Sequence, residues 1–296
     1  MSTAIQRWWG HATIGAAMLV ACVVSAGGEE PTPEELRARI EAADPSVVPI
    51  ARRWLGKGSD VEQIPEDDPR LVVALNGVEA YQDQESARLA GLLYRRAGGA
   101  VRSAAAAAIA AIGTPAVLSD LKQIVWDQRL DLATRCRAAE SLVQLNEDLG
   151  RQFLLLQYDL YRLELETFGG GNMGPAREAL QRLGDESLRA ELQRRIPTAT
   201  GKLRRNIETL LEDMQINSES IPALVARVAD PTRANSYARY TALAALSRKG
   251  DHQQLALLQD LQPWQELPAD HAQQVALRQA ARDAVLTIRR RCWQAE

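Results

Sequence analysis

Apolar and small residues recur at fixed positions in six segments of the chain. In residues 101–113, such residues stand three, seven and ten positions after Arg102. These offsets fall on one stripe of an α-helix, so each segment is predicted to form an amphipathic helix. Lys249 breaks one of the offsets. The first positions of the six copies are Arg102, Arg135, Met173, Arg204, Arg239 and Arg278.

The copies begin 31 to 39 residues apart, and the first helix fills less than half of each interval. The remainder has room for a second helix. Helix pairs that repeat at this period stack into an α-solenoid. We therefore predict an all-α fold, a right-handed α-solenoid of antiparallel helix pairs. The second helices are expected at 119–126, 147–158, 186–196, 224–229 and 252–261.

The residues between the predicted helices support these boundaries. Gly113, Gly184 and Gly250 each follow an apolar stripe, and glycine commonly ends a helix. Asp185 and Asp251 come next, where an aspartate can cap the following helix. Further candidate N-caps ahead of the copies are Asp131, Thr200, Asn235 and Asp270.

The region before the copies has a weaker pattern. Helices are expected at 33–43 and 46–55, the second ending at Gly56, with a polar loop from 56 to 68. Another pair is expected at 71–81 and 85–97. We interpret residues 34–97 as degenerate repeats that form an N-terminal cap, and the last predicted helix as a C-terminal cap.

The first thirty residues are typical of an export signal. Residues 12–24 carry no charge, and the small residues Ser25 and Ala26 follow. A short apolar run that ends in small residues is characteristic of a secretory signal peptide. It is shorter than the roughly 20 residues that span a bilayer. A second interpretation is a lipobox at residues 19–22, which would make Cys22 the lipidated first residue of a membrane-anchored protein.

The segment from Val101, VRSAAAAAIAAIGTPAVLSDLKQIV, resembles the short HEAT-like repeats also found in phycobilisome lyases. The resemblance covers residues 101–160 well and 173–293 more loosely. It implies a curved helical stack with a partner-binding surface. It implies no particular chemistry, because such arrays serve many roles.

Together these patterns predict the organisation of the chain. It comprises a signal peptide (1–26), a linker (27–33), the degenerate N-terminal repeats or cap (34–97), HEAT-like repeats (98–167), a Gly-rich loop (168–175), and further HEAT-like repeats with the C-terminal cap (176–296).

Composition narrows the function classes. Ala and Leu supply 85 of the 296 residues, which favours helices over strands. A hydrophobic fraction of 46% excludes an intrinsically disordered chain. The net charge of -3 argues against a nucleic-acid binder. No second apolar run is long enough to span a membrane, so the mature chain is expected to have no transmembrane segment.

No combination of residues in the sequence is typical of a catalytic, cofactor or metal site. His252 and His271 stand far apart without a neighbouring Cys, so a zinc site is not expected. The Gly-rich segment 169–171 lacks the strand and the Lys-Ser/Thr of a P-loop. We therefore expect no catalytic residue, no cofactor and no metal.

Two groups of residues are the candidate sites. The recurrent arginines either form structural bonds to carboxylates or helix-end carbonyls in the adjacent repeat, which we favour, or form a basic stripe for an acidic partner. The aromatic residues of the second and third copies are the candidate interface, if they are exposed, because Tyr and Trp anchor interfaces. The arginines are Arg102, Arg135, Arg204, Arg239 and Arg278, and the aromatic residues are Trp126, Tyr158, Tyr161 and Phe168.

From the sequence we expect an exported scaffold, periplasmic or secreted, that binds an unknown protein partner and is not an enzyme. One alternative is an accessory enzyme of the HEAT-like lyase type that acts on a cofactor or chromophore. Another is a lipoprotein with a structural role, anchored at Cys22.

Overall fold

A computed structural model of the chain describes residues 30–60, 64–168, 174–229, 236–260 and 272–293. Within the later helices some side chains are not described, including those of residues 161–168 and 272–278. The described residues form fifteen α-helices and no β-strand, which confirms the predicted all-α class. The helices are α1 (Pro33–Glu41), α2 (Val47–Ser59), α3 (Pro69–Tyr81), α4 (Ala87–Arg96), α5 (Gly99–Ile112), α6 (Leu118–Trp126), α7 (Leu132–Gln144), α8 (Asp148–Phe168), α9 (Pro175–Leu183), α10 (Glu186–Arg195), α11 (Gly201–Ser218), α12 (Ile221–Ala229), α13 (Ser236–Lys249), α14 (His252–Asp260) and α15 (Ala272–Arg291).

Local capping chemistry explains where many of these helices begin and end. Asp131 and Asp185 accept hydrogen bonds from the backbone N–H groups three residues on, which confirms both as N-caps. Gly113 and Gly184 end α5 and α9 with φ angles of 58° and 59°. This left-handed conformation strains other residues, so glycine is the natural helix stop at both positions.

Two helices continue well past their predicted ends. Helix α2 continues through Gly56 to Ser59, whose hydroxyl donates to the Gly56 carbonyl at 2.8 Å. Helix α8 extends to Phe168, so this residue belongs to the helix rather than to the Gly-rich loop. In α2, the buried side chains of Trp54 and Leu55 hold the last turns against the core. Tertiary packing of this kind outweighs the weak helix propensity of a single glycine.

The odd-numbered helices pack against one another in chain order. From α3 onward, each of α5, α7, α9, α11, α13 and α15 contacts the odd-numbered helix before it, and most contact the even-numbered helix between them. Helix α15 also contacts α3, and the Arg290 side chain donates to the carbonyls of Ile40 and Glu41 at 3.0 and 3.2 Å. Trp293 packs edge to face on Tyr81, with ring centroids 6.4 Å apart. The helices predicted as caps therefore contact each other and bury apolar surface between them.

Small residues bring neighbouring helices close together. A Cβ atom added to Gly150 in α8 would lie 2.4 Å from the Ala139 carbonyl oxygen of α7. Helix α5 buries four alanines of its apolar run, at 105, 106, 108 and 110. The alanine excess of the composition thus lies at helix contacts, as the periodicity predicts.

The buried apolar residues fall into two clusters. The first cluster extends from Leu36 to Met214 and includes helices α1 to α11. The second cluster extends from Ile216 to Ile288 and is built from α11 to α15. The two clusters meet in α11, between Met214 and Ile216.

Candidate functional site

Three of the recurrent arginines donate hydrogen bonds to carbonyls near the ends of preceding helices. Arg102 in α5 bonds the Tyr94 carbonyl at 2.8 Å. Arg135 in α7 bonds the Val125 carbonyl at 2.9 Å. Arg239 in α13 bonds the Val228 carbonyl at 3.2 and 3.0 Å through two nitrogens. The last carbonyls of a helix have no partner within it, so these guanidinium groups satisfy acceptors that would otherwise need water.

Two of these arginines make further contacts. Arg102 forms an ion pair with Asp127 at 2.6 Å and lies 4.3 Å from the ring centroid of Tyr94. Arg135 lies 5.2 Å from the ring centroid of Phe153. These contacts join each arginine to a neighbouring helix pair by charge and by cation–π attraction.

The other recurrent arginines differ. Arg204 is exposed and pairs with Glu208 of its own helix at 2.8 Å. Arg278 belongs to α15, and its side chain lies outside the described residues. The bond to a preceding helix end is therefore present in three of the four recurrent arginines whose side chains are described.

The predicted aromatic interface divides into a buried part and an exposed part. Tyr158 is buried and donates its hydroxyl hydrogen to the Asn206 side-chain oxygen at 2.9 Å. Trp126 is 52% exposed and packs edge to face on buried Phe153, with centroids 5.5 Å apart. Tyr161 and Phe168 belong to α8, but their side chains lie outside the described residues. Cys22 and the predicted signal peptide also lie outside them.

A series of polar pairs that the sequence analysis did not predict joins helices α7, α9, α11 and α13. Each pair includes the residue nine positions after the first position of a copy. Arg182, Asp213 and Arg248 occupy this place in three successive copies, and each reaches back to the preceding odd-numbered helix. Polar residues at one offset in consecutive copies are a sequence signal that could have identified the series.

The first two pairs each join a cation to a carboxylate. Arg182 of α9 donates to Glu140 of α7 through Nε and Nη2, at 2.9 and 2.8 Å. Asp213 of α11 accepts from Arg177 of α9 at 3.3 Å, and these side chains are 1% and 2% exposed. Thr241 of α13 also donates to Asp213, at 3.4 Å. Opposite charges thus compensate each other in both pairs, and the second pair is almost completely buried.

The third pair lacks a carboxylate. Arg248 of α13 donates to the side-chain oxygen of Asn217 in α11. Asn217 in turn donates to the Asp213 carbonyl at 2.9 Å, which fixes the orientation of its amide. Among the described residues, Arg248 forms no ion pair. Its neighbour Lys249 donates to the backbone carbonyls of Asn217 and Glu219, so both cations lie at the carboxyl end of α11.

The electrostatics of the two partly buried guanidinium groups reflect this difference. Burial disfavours the Arg182 cation, but the Glu140 carboxylate outweighs burial and raises the pKa of Arg182. Burial and, to a smaller extent, the positive charge of Arg182 lower the pKa of Arg248 to about 10, against the opposing effect of Glu140. The three side chains are therefore close enough to influence one another.

A helix end compensates the Arg248 charge only in part. A cation at a helix carboxyl end gains about 0.3–1 kcal/mol from the helix dipole. Taking a charge out of water costs several kcal/mol. Arg248 is only partly buried, so its charge bears part of this cost, and it is compensated less completely than the charge of Arg182.

The described part of the chain offers little for metal chemistry. It contains no group of three or more His, Cys, Asp or Glu side chains that could hold a metal ion. Burial raises the pKa of the Cys136 thiol to about 12, so this cysteine is not poised as a nucleophile. None of the described helices is both long and apolar enough to cross a membrane.

Comparison with known proteins adds no relative from which a site could be transferred. No protein-family model matches the chain, and no curated protein is significantly similar to it.

Proposed function

We propose that the chain is an exported helical-repeat scaffold that binds a protein partner. In this proposal the helix pairs stack as a right-handed α-solenoid of the HEAT-like kind. The support for the stacking is the order of helix contacts, in which each odd-numbered helix from α5 to α15 packs on the one before it. Repeat proteins with this contact order present long surfaces on which partners bind.

The observation that carries the proposal is a set of exposed apolar side chains on the neighbouring helices α6 and α8, which we call the apolar surface of α6 and α8. Leu156 and Leu160 are 47% and 49% exposed, and they lie one helical turn apart on one stripe of α8. Trp126 of α6 contacts Phe153 of α8, which lies three residues before Leu156 and so about one turn from it. A half-exposed Trp beside apolar side chains is the composition from which binding hot spots are built.

The partner of this surface is expected to present an apolar patch of its own. It is first identified by affinity capture from envelope extracts with the mature protein, and its binding is then measured with purified components. Trp126→Ala and the double variant Leu156→Ser, Leu160→Ser should each weaken binding at least tenfold, since loss of a hot spot costs about 2 kcal/mol or more.

Tyr240 offers a matched control, because it is 48% exposed but lies on α13. Tyr240→Ser should leave the affinity unchanged. Equal effects of the α8 and α13 variants, or none from the α6 and α8 variants, would contradict the proposed surface.

Export is tested separately by the mass of the mature N-terminus and by cell fractionation. An N-terminus at Gly27 in the soluble envelope fraction supports cleavage of a signal peptide. A diacylglyceryl Cys22 in the membrane fraction supports the anchored alternative. An uncleaved chain in the cytoplasm contradicts both.

A further inference from the structure

The polar pairs between α7 and α13 differ in one respect that points to a ligand. In the first two, an arginine meets Glu140 or Asp213. In the third, Arg248 meets the neutral amide of Asn217. An arginine that is withdrawn from water, even in part, is ordinarily paired with a carboxylate, because an uncompensated charge there is unfavourable.

The carboxylates near Arg248 are already committed to other arginines. Glu140 is bonded by two nitrogens of Arg182, and Asp213 is paired with Arg177. Glu219, whose carbonyl accepts from Lys249, gives its carboxylate to Arg227.

Glu178 lies 3.9 Å from Arg182 and is exposed. Lys249 adds a further positive charge beside Arg248 without a carboxylate of its own among the described residues. Once each carboxylate is assigned to its arginine, Arg248 and Lys249 remain as neighbouring positive charges without a carboxylate partner among the described residues.

Arg248 is also accessible. Its side chain is only partly buried, and its one hydrogen bond among the described residues uses Nη2. A guanidinium has five N–H donors in a fixed plane, which match a carboxylate bidentately. The bond to Asn217 therefore orients the guanidinium and leaves other donors for a ligand.

We propose that Arg248, oriented by the Asn217 amide and flanked by the positive charge of Lys249, binds the carboxylate of a ligand. The carboxylate belongs either to an acidic side chain of a peptide or to a free dicarboxylic acid. A single negative charge completes the charge pairing that the first two pairs already have. Phosphate carries up to two negative charges on one group, whereas each carboxylate of a dicarboxylic acid carries one, so phosphate matches a single guanidinium less well and is expected to bind more weakly.

The direct test measures binding of two carboxylate probes to the full chain by calorimetry. The probes are succinate and the end-blocked peptide Gly-Glu-Gly, with Gly-Gln-Gly and inorganic phosphate as comparisons. At least one carboxylate probe should bind, and more tightly than phosphate or the Gln peptide. Peptide binding alone indicates an acidic polypeptide, and succinate binding alone indicates a small molecule. Failure of both probes, or tighter binding of phosphate, would overturn the proposal.

Variants of Arg248 separate a binding role from a structural one. Arg248→Met should lower the affinity for the probe at least tenfold. It should leave the melting temperature unchanged or higher, because it removes a charge that has no carboxylate partner. Arg204→Met is the matched control, since Arg204 is exposed and paired within its own helix. Unchanged probe affinity in Arg248→Met, or a melting temperature lowered by several degrees, would show that Arg248 only caps α11.

A second variant keeps the test valid if Arg248→Met fails to fold. Asn217→Asp is nearly isosteric and supplies a carboxylate inside the protein. It should abolish probe binding, because the internal carboxylate takes the place of the ligand, although it loses the bond that Asn217 donates to the Asp213 carbonyl. Retained binding in Asn217→Asp would contradict the proposed site. This inference does not depend on the apolar surface of α6 and α8, so each can fail without the other.

Discussion

The two hydrophobic clusters differ in size, and a short polar junction in α11 separates them. In the first cluster, buried apolar residues continue without interruption from Leu36 in α1 to Met214 in α11. The second cluster begins two residues later, at Ile216. Asp213 and Asn217 flank this junction and bond to helices on both sides of α11.

Apolar packing and polar pairs contribute differently to this fold. Apolar packing is non-directional and stabilises each cluster from within. Hydrogen-bonded pairs are directional and fix how one helix sits on the next. We therefore expect the junction to be the place where a single polar substitution has the largest effect.

The largest effect is expected from Asp213→Ala. This change removes the Asp213 carboxylate from the buried Arg177 and the acceptor of Thr241. Breaking a buried pair by removing one partner costs about 3–5 kcal/mol. Urea unfolding would measure the loss, with Glu208→Ala on the exposed surface of α11 as the control. Equal costs in the two variants would mean that the junction pair contributes no more than a surface pair.

Core truncations should show whether the clusters unfold separately. Leu142→Ala in the first cluster and Leu243→Ala in the second each remove a fully buried side chain, at a cost of about 2–5 kcal/mol. Hydrogen exchange should then increase mainly within the cluster that carries the change. If either variant increases exchange equally in α3–α9 and α12–α15, the two clusters form one cooperative unit.

The Arg102–Asp127 pair should make the first cluster sensitive to acid. Burial opposes ionisation of Asp127, but hydrogen bonds from Arg129 and Arg102 outweigh it and hold the pKa of Asp127 well below its usual range. Its contribution is therefore fully present above the unfolded-state pKa of about 3.9 and declines as the pH falls below that value. Asp127→Asn should cost about 1.5–3 kcal/mol at pH 7, as expected for charged hydrogen bonds.

The measurement is the difference in unfolding free energy between the wild type and Asp127→Asn as a function of pH. This difference should shrink steadily as the pH falls below about 4. Asp148→Asn is the control, because the Asp148 side chain is largely exposed, and surface changes of this kind stay within about 0.5 kcal/mol. A difference that is constant from pH 7 to pH 2 would exclude Asp127 as the source of acid sensitivity.

The sequence predicted the helices well because their signal is local. Apolar stripes, glycine stops such as Gly113 and Gly184, and caps such as Asp131 and Asp185 depend on residues within one or two turns. The failure at α2 has a non-local cause. Gly56 interrupts the pattern of α2, and only the packing of this helix against the core carries it on to Ser59.

The sequence predicted much less of the polar series, because its partners are distant. Arg182 and Glu140 are separated by 42 residues, and Arg248 and Asn217 by 31. Their shared offset within the copies is visible, but the identity of each partner depends on which helices are neighbours. The contact of Arg290 with Ile40, 250 residues apart, had no sequence signal at all.

The recurrent arginines give the smallest effects and compare the two clusters directly. Arg135, beside the first cluster, and Arg239, beside the second, each donate to the backbone carbonyl of the second-last residue of the preceding helix. Replacing either by Ala should cost about 1–2 kcal/mol, because a buried carbonyl loses a charged donor. Arg204→Ala should stay within about 0.5 kcal/mol, since its pair with Glu208 is exposed.

Melting temperatures of the three variants, measured with binding of the captured partner, separate the two interpretations of these arginines. A structural role predicts lower melting temperatures for Arg135→Ala and Arg239→Ala and unchanged affinity in the fraction that remains folded. A basic stripe for an acidic partner predicts unchanged stability and weaker binding, with Arg204 contributing because it is the exposed member. A cost at Arg135 without one at Arg239 would show that the same helix-end bond stabilises only the larger cluster.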